Sequence, residues 1–81
     1  MAQLVVQVID RDTREPLPWV YVEVDGRALQ TGMDGTATFV LPVGTYTLRV
    51  RTMLYSPYTA TITIPREGTF RYTVPLIKAH L

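Results

Sequence analysis

Three sets of side chains in this 81-residue chain could do chemistry. The first is a nucleophile with a base. Nucleophilic catalysis needs a hydroxyl or thiol held against a group that takes its proton. The chain has no cysteine, one serine, Ser56, followed by Pro57, and one histidine, His80, beside the C-terminus. A Ser56/His80 pair is the smallest catalytic unit that could be assembled. A solvated tail histidine is the plainer reading, so no enzyme activity and no catalytic residue are expected. The second set is the carboxylates. Asp10 and Asp12 share a loop, and Asp25 and Asp34 precede glycines. Calcium takes about six to eight oxygens and favours a regular loop spacing that is absent here. Asp before Gly is ordinary turn chemistry. No metal and no cofactor are expected.

Aromatic rings form the third set. Trp19 and Tyr21 alternate with Val20 and Val22, so their rings should share the face opposite the valines. Tyr55 and Tyr58 flank Pro57. Exposed rings of this kind stack on sugars or anchor a protein interface. Trp19, Tyr21, Tyr55 and Tyr58 are therefore the candidate binding residues. Rings packed at the rim with wet hydroxyls are the competing reading, and the preferred one for Tyr46 and Tyr72.

The elements that must position these rings are strands. Alternation with period two runs through the chain, and no stretch sustains helical periodicity. Leu4, Val6 and Val8 form one face of a first strand. A polar, proline-punctuated loop follows, Asp10 to Pro18. A second strand is predicted over Trp19–Asp25, with Val20, Val22 and Val24 inward, and a short third over Arg27–Thr31. Asp25-Gly26 reads as a tight hairpin turn, since Gly tolerates positive φ, and Asp34-Gly35 as a turn compatible with the mirror-image type. Thr36–Leu41, Thr45–Met53, Tyr58–Ile64 and Thr69–Leu76 complete the set. Pro75 cannot donate to a ladder, so the last strand should end there or lie at an edge. Seven strands with turn signals about every 8–12 residues predict an all-β, seven-stranded antiparallel sandwich with no helix of note, folded as a single domain over 1–81.

Outward positions on these strands are rich in threonine: Thr36/Thr38, Thr45/Thr47 and Thr59/Thr61/Thr63. Threonine suits solvent-facing strands. On an edge the same stripe carries no charge that would deter a second chain. Thr59, Thr61 and Thr63 are therefore the candidate self-association edge. Residues 1–40 hold six acids against three bases, and residues 41–81 five bases against one acid. Head-to-tail association becomes easier if that asymmetry makes two poles. The net charge of only +1, with no basic cluster interleaved with aromatics, argues against nucleic-acid binding. Arg49, Arg51 and Arg71 would make a cationic stripe if their strands were neighbours. No apolar run approaches the ~20 residues of a membrane helix, so no membrane insertion is expected, and no signal peptide is visible.

The order of these signals carries a resemblance. Val6-x-Val8-x-Asp10 leads into Thr13-Arg14-Glu15-Pro16-Leu17-Pro18 and Val20-x-Val22. Thr31 precedes Asp34-Gly35-x-Ala37-x-Phe39, and Leu41-Pro42-x-Gly44-x-Tyr46-x-Leu48-x-Val50 follows, closed by Tyr55. Over residues 4–64 this resembles the carboxypeptidase regulatory-like domains, transthyretin-like modules related to Cna-B-type and PEGA-type repeats. The family pattern has glycine where this chain has Trp19, and Gly-Tyr where it has Leu54-Tyr55. The resemblance implies a non-catalytic prealbumin-like sandwich used as a spacer, adhesin segment or docking module, and favours the cell exterior or a particle surface. Another transthyretin-like group, the 5-hydroxyisourate hydrolases, works through several histidines and a Tyr-Arg-Gly-Ser C-terminus. Lys78-Ala79-His80-Leu81 and a single histidine argue against that activity.

The expectation is thus a structural or interaction module acting through its surface. It would self-associate as part of an oligomer, fibre or particle surface, or serve as a spacer in a larger surface protein. Its partners would be copies of itself or neighbouring domains. The alternative is a carbohydrate-binding module using the exposed aromatics.

Overall fold

The computed structural model describes residues 1–79; His80, and with it the Ser56/His80 pairing, lies outside the described residues. Seven strands follow in order: β1 (Ala2–Asp10), β2 (Tyr21–Val24), β3 (Arg27–Gln30), β4 (Thr36–Leu41), β5 (Gly44–Arg51), β6 (Tyr58–Ile64) and β7 (Thr69–Leu76). They form a three-stranded sheet, β4-β1-β7, and a four-stranded sheet, β3-β2-β5-β6. No helix occurs among the described residues.

The alternation sets what is buried. Leu4, Val6, Val8, Ala37, Phe39, Leu41, Val74 and Leu76 from one sheet meet Val22, Val24, Leu48, Val50, Ile62 and Ile64 from the other. Each is at most 7% exposed. Packing two such faces is what lets a chain without cysteines hold a sandwich with no covalent cross-link.

The expectation of a wholly antiparallel sandwich is corrected at one pair. β1 and β7 run parallel, from Gln3 opposite Thr69 to Asp10 opposite Leu76. Hydrophobic alternation reports which face a residue takes and not which way its strand runs, so this pairing leaves no local signature. β7 is an edge strand and continues through Pro75. The Gln3 and Arg11 amides bond to the Gly68 and Leu76 carbonyls, so the even-numbered positions of β7 turn their main-chain groups to β1. Pro75 therefore sits where its missing N–H would have faced the open side, and the ladder loses nothing.

The two Asp-Gly turns differ. Asp25 and Gly26 have φ of 52° and 82° between the paired residues Val24 and Arg27. This is the expected tight hairpin turn, and its two positive φ angles make it the mirror-image type. Asp34-Gly35 is corrected: only Gly35 has positive φ, at 75°. The Gly35 amide bonds back to the Gly32 carbonyl, and Asp34 Oδ1 accepts the Thr36 amide and hydroxyl. Gly35 also has a packing reason. A Cβ there would lie 2.8 Å from both the Pro16 Cβ and the Val8 carbonyl oxygen. The crossover between β1 and β2 runs directly over it.

Candidate functional site

The outer face of the four-stranded sheet is built by register. Tyr21 lies opposite Arg51, and Glu23 opposite Arg49. On the other flank, Arg49 faces Thr59, Thr47 faces Thr61 and Thr45 faces Thr63. Tyr21 and the threonine candidates, read from separate segments, thus share one surface. At its upper end an open groove of about 720 Å³ is lined by Trp19, Tyr21, Glu23, Ala28, Arg49, Arg51, Thr52 and Met53. Trp19 is 59% exposed, Tyr21 58% and Met53 85%.

Trp19 is not part of β2, as the alternation suggested. It sits before the strand in a left-handed conformation, φ 62°, where an L-residue costs about 1–2 kcal/mol relative to the right-handed region. What holds it there is Thr31, which is fully buried. The Trp19 amide donates to the Thr31 carbonyl at 3.0 Å, and the Thr31 amide to the Val20 carbonyl at 2.9 Å. The Thr31 hydroxyl accepts the Val20 amide at 3.0 Å and donates to the Leu17 carbonyl at 2.7 Å. The indole is presented from a clamped backbone. Leu54, beyond the end of β5, repeats the pattern with φ 72° and 59% exposure. These are the two positions at which the sequence departs from glycine. In both, a backbone suited to glycine carries a large exposed apolar side chain.

Tyr55 and Tyr58 are placed elsewhere. Both are half-buried and pack against the core. The Tyr55 hydroxyl donates to Asp10 Oδ2 at 2.7 Å, and Asp10 Oδ1 accepts the amides of Asp12 and Thr13. That Tyr55 bond, with the two amides, holds the Asp10 carboxyl below its ordinary range and pushes the Tyr55 phenol up. The Tyr58 and Tyr72 hydroxyls share a hydrogen bond of 2.9 Å that ties β6 to β7 across the sandwich and raises the Tyr58 phenol. The structure joins Trp19 to Tyr21 and sets the other two rings apart from them.

Arg49, Arg51 and Met53 complete the groove; the sequence marks the two arginines only as part of a possible cationic stripe and does not single out Met53. Their signal was the outward phase of β5, which acquires meaning only once β5 is known to lie beside β2. Arg71 does not join them, because β7 belongs to the other sheet. Among the described residues, neither Arg49 nor Arg51 forms an ion pair.

The main-chain phase of β6 follows from the hairpin. Val24 and Arg27 flank a two-residue turn, so they exchange hydrogen bonds with each other. Val24 and Val22 therefore face β3, while Glu23 and Tyr21 face β5. The Asp25 amide, directed at the Thr47 carbonyl, has the same phase. Carried across β5 by the register, Tyr58, Ala60 and Ile62 bond to β5. Thr59, Thr61 and Thr63 turn their N–H and C=O groups to the open side.

No family model matches this chain, and no curated protein does. Solved structures do. The Bacillus anthracis TIE protein superposes with a TM-score of 0.77 and 23% identity, covering 96% of this chain and 17% of that one. The group B streptococcus pilus 2b backbone protein gives 0.76 and 17%, covering 96% and 41%. The Klebsiella pneumoniae 5-hydroxyisourate hydrolase gives 0.67 and 21%, covering 99% and 93%. At these identities the likeness is one of fold. The chain has the transthyretin-like, Cna-B-like sandwich fold, and it spans less than half of the first two proteins.

Proposed function

We propose that this chain is a non-catalytic structural module of a surface assembly, and that it associates with copies of itself along β6. The observation that carries this reading is the character of that edge. Tyr58–Ile64 is seven residues long with no charge and no proline, and Thr59, Thr61 and Thr63 leave their main-chain groups unpaired. Edges of this kind template the addition of another strand. Two other edges are guarded. β7 carries Arg71 and, at an open position, Pro75; β3 is four residues long and starts with Arg27. The fourth edge, β4, is also uncharged and lies on the flank away from β6. Contact of β6 with β6 would close a dimer, and contact of β6 with β4 would grow a chain. The pilus backbone neighbour, a protein named for its place in an assembly, supports the same class of role at a cell surface.

Absolute mass by light scattering, over a hundredfold concentration range, tests the reading. A discrete multiple of 9.2 kDa or a growing polymer is expected. Thr61→Pro should return the protein to monomer, because its N–H faces the open side and the substitution removes no internal bond. A monomer at every concentration, or an assembly indifferent to Thr61→Pro and to charges on β4, refutes it.

Carbohydrate binding is the second reading. It is favoured by two exposed rings set beside two arginines on a rigid sheet face. Trp19→Ala would abolish sugar binding in a folded protein. A glycan screen without a hit would refute it.

A further inference from the structure

We propose that the groove beneath Trp19 takes an acidic saccharide, a chain of uronate-type pyranoses, with Arg51 as the carboxylate-binding residue. This rests on the carbohydrate reading of the same groove and adds what kind of sugar fits it. Three observations carry it. The first is the pairing of ring and cation. Tyr21 and Arg51 are directly opposite across the β2–β5 ladder, so their side chains rise from neighbouring points of one face. Both border the groove with Trp19 and Met53. Pyranose faces carry C–H groups that stack on aromatic rings, and a guanidinium offers a planar fork matched to a carboxylate.

The second observation is the local charge. Glu23 is the one carboxylate bordering this groove, against two guanidiniums. Glu23 lies opposite Arg49, not Arg51. Arg49 and Glu23 also border a smaller hollow of about 230 Å³ with Asp25, so the acids gather at the Arg49 end. Arg51, at the Trp19 end, keeps its charge uncompensated. The third is the conformation of Trp19. A left-handed backbone clamped by a buried threonine sets an exposed indole at the groove, and strain of this kind marks sites where a side chain is held for use. A stacking platform gains from a fixed main chain, since no backbone freedom remains to be lost there on binding.

The test uses the emission of Trp19, the only tryptophan in the chain, during titration with oligogalacturonate and with its methyl ester. The two share ring and linkage and differ in charge. A panel of other uronate oligosaccharides and a poly-glutamate of matched charge accompany them. The acid is expected to bind at least about tenfold tighter than the ester, the scale of one charge-assisted hydrogen bond, and to weaken as salt rises. Arg51→Gln should remove about that factor from the acid and leave the ester unchanged. Trp19→Gly, which suits the local backbone and so preserves the fold, should abolish both, with binding then followed by calorimetry.

Equal binding of acid and ester overturns the assignment of charge and leaves the carbohydrate reading standing. Silence from every saccharide overturns both. Poly-glutamate binding as tightly as the uronates means that the groove reads charge alone, and also overturns the proposal. Binding that survives Trp19→Gly places the site elsewhere.

Discussion

The Tyr55 hydroxyl donates a 2.7 Å hydrogen bond to Asp10 Oδ2, joining the connection after β5 to the last residue of β1. Asp10 is also the point at which the crossover to β2 begins. Its carboxylate accepts two amides of that crossover, and its own amide donates to the Glu15 carbonyl. One side chain therefore fastens both loops at this end of the sandwich. The aspartate that could have been read as a metal ligand has three donors of its own within the chain.

This bond makes stability depend on pH at both extremes. The Asp10 carboxyl titrates below its unfolded value, mainly through Tyr55. Its stabilisation is therefore present above the ordinary carboxylate range and is lost as pH falls through the folded value. The Tyr55 phenol titrates above 10.0, mainly through Asp10, so its share is present below 10.0 and is lost as pH rises through the folded value. Denaturant midpoints measured from pH 2 to 11 should form a plateau with both limbs. Tyr55→Phe should lower the plateau and shallow both limbs. Identical limbs in wild type and variant would disprove the assignment.

Thr31→Val should be costly. The methyl replaces a hydroxyl that accepts the Val20 amide and donates to the Leu17 carbonyl, at a site with no exposure. Leaving buried groups unpaired costs about 1–3 kcal/mol, or roughly 4–8 °C in Tm per kcal/mol for a domain of this size. Thr31→Ser should recover most of the loss, which a cavity effect alone would not allow.

Trp19→Gly and Leu54→Gly should each stabilise the fold or leave it unchanged. The left-handed backbone is relieved by about 1 kcal/mol, offset by the greater freedom of glycine in the unfolded chain. Loss of stability at Trp19 would mean that the indole packs more tightly than its 59% exposure indicates. Gly35→Ala should go the other way, by well over 1 kcal/mol, since both the positive φ and the 2.8 Å approach of the Val8 carbonyl oxygen oppose it. Urea titrations of the three variants decide the signs.

Amide exchange should alternate along β6. Tyr58, Ala60 and Ile62 are predicted to be protected by β5, while Thr59, Thr61 and Thr63 exchange freely in dilute monomer. Protection of the threonines that grows with protein concentration would locate a self-association contact on this edge. Protection of the threonines at the lowest concentration would show that the phase of the edge is reversed.

Much of this protein is written locally. Every second residue of Leu4–Val8, Ala37–Leu41 and Ile62–Ile64 is apolar, and a strand has only two faces, so the sequence alone determined which residues form the core. Asp25-Gly26 determined its own turn, because positive φ at two successive positions admits few residues. The sequence also determined that the chain offers one serine, one histidine and no cysteine. What the tertiary structure decided was adjacency. Alternation holds no information on strand direction or neighbours, so the parallel β1–β7 pair, the open phase of β6 and the meeting of Arg51 with Tyr21 appear only after pairing. Trp19 shows the same limit at one residue. Its place outside β2 is set by a buried threonine twelve positions later, and the arginines beside it in the groove come from β5, about thirty residues away.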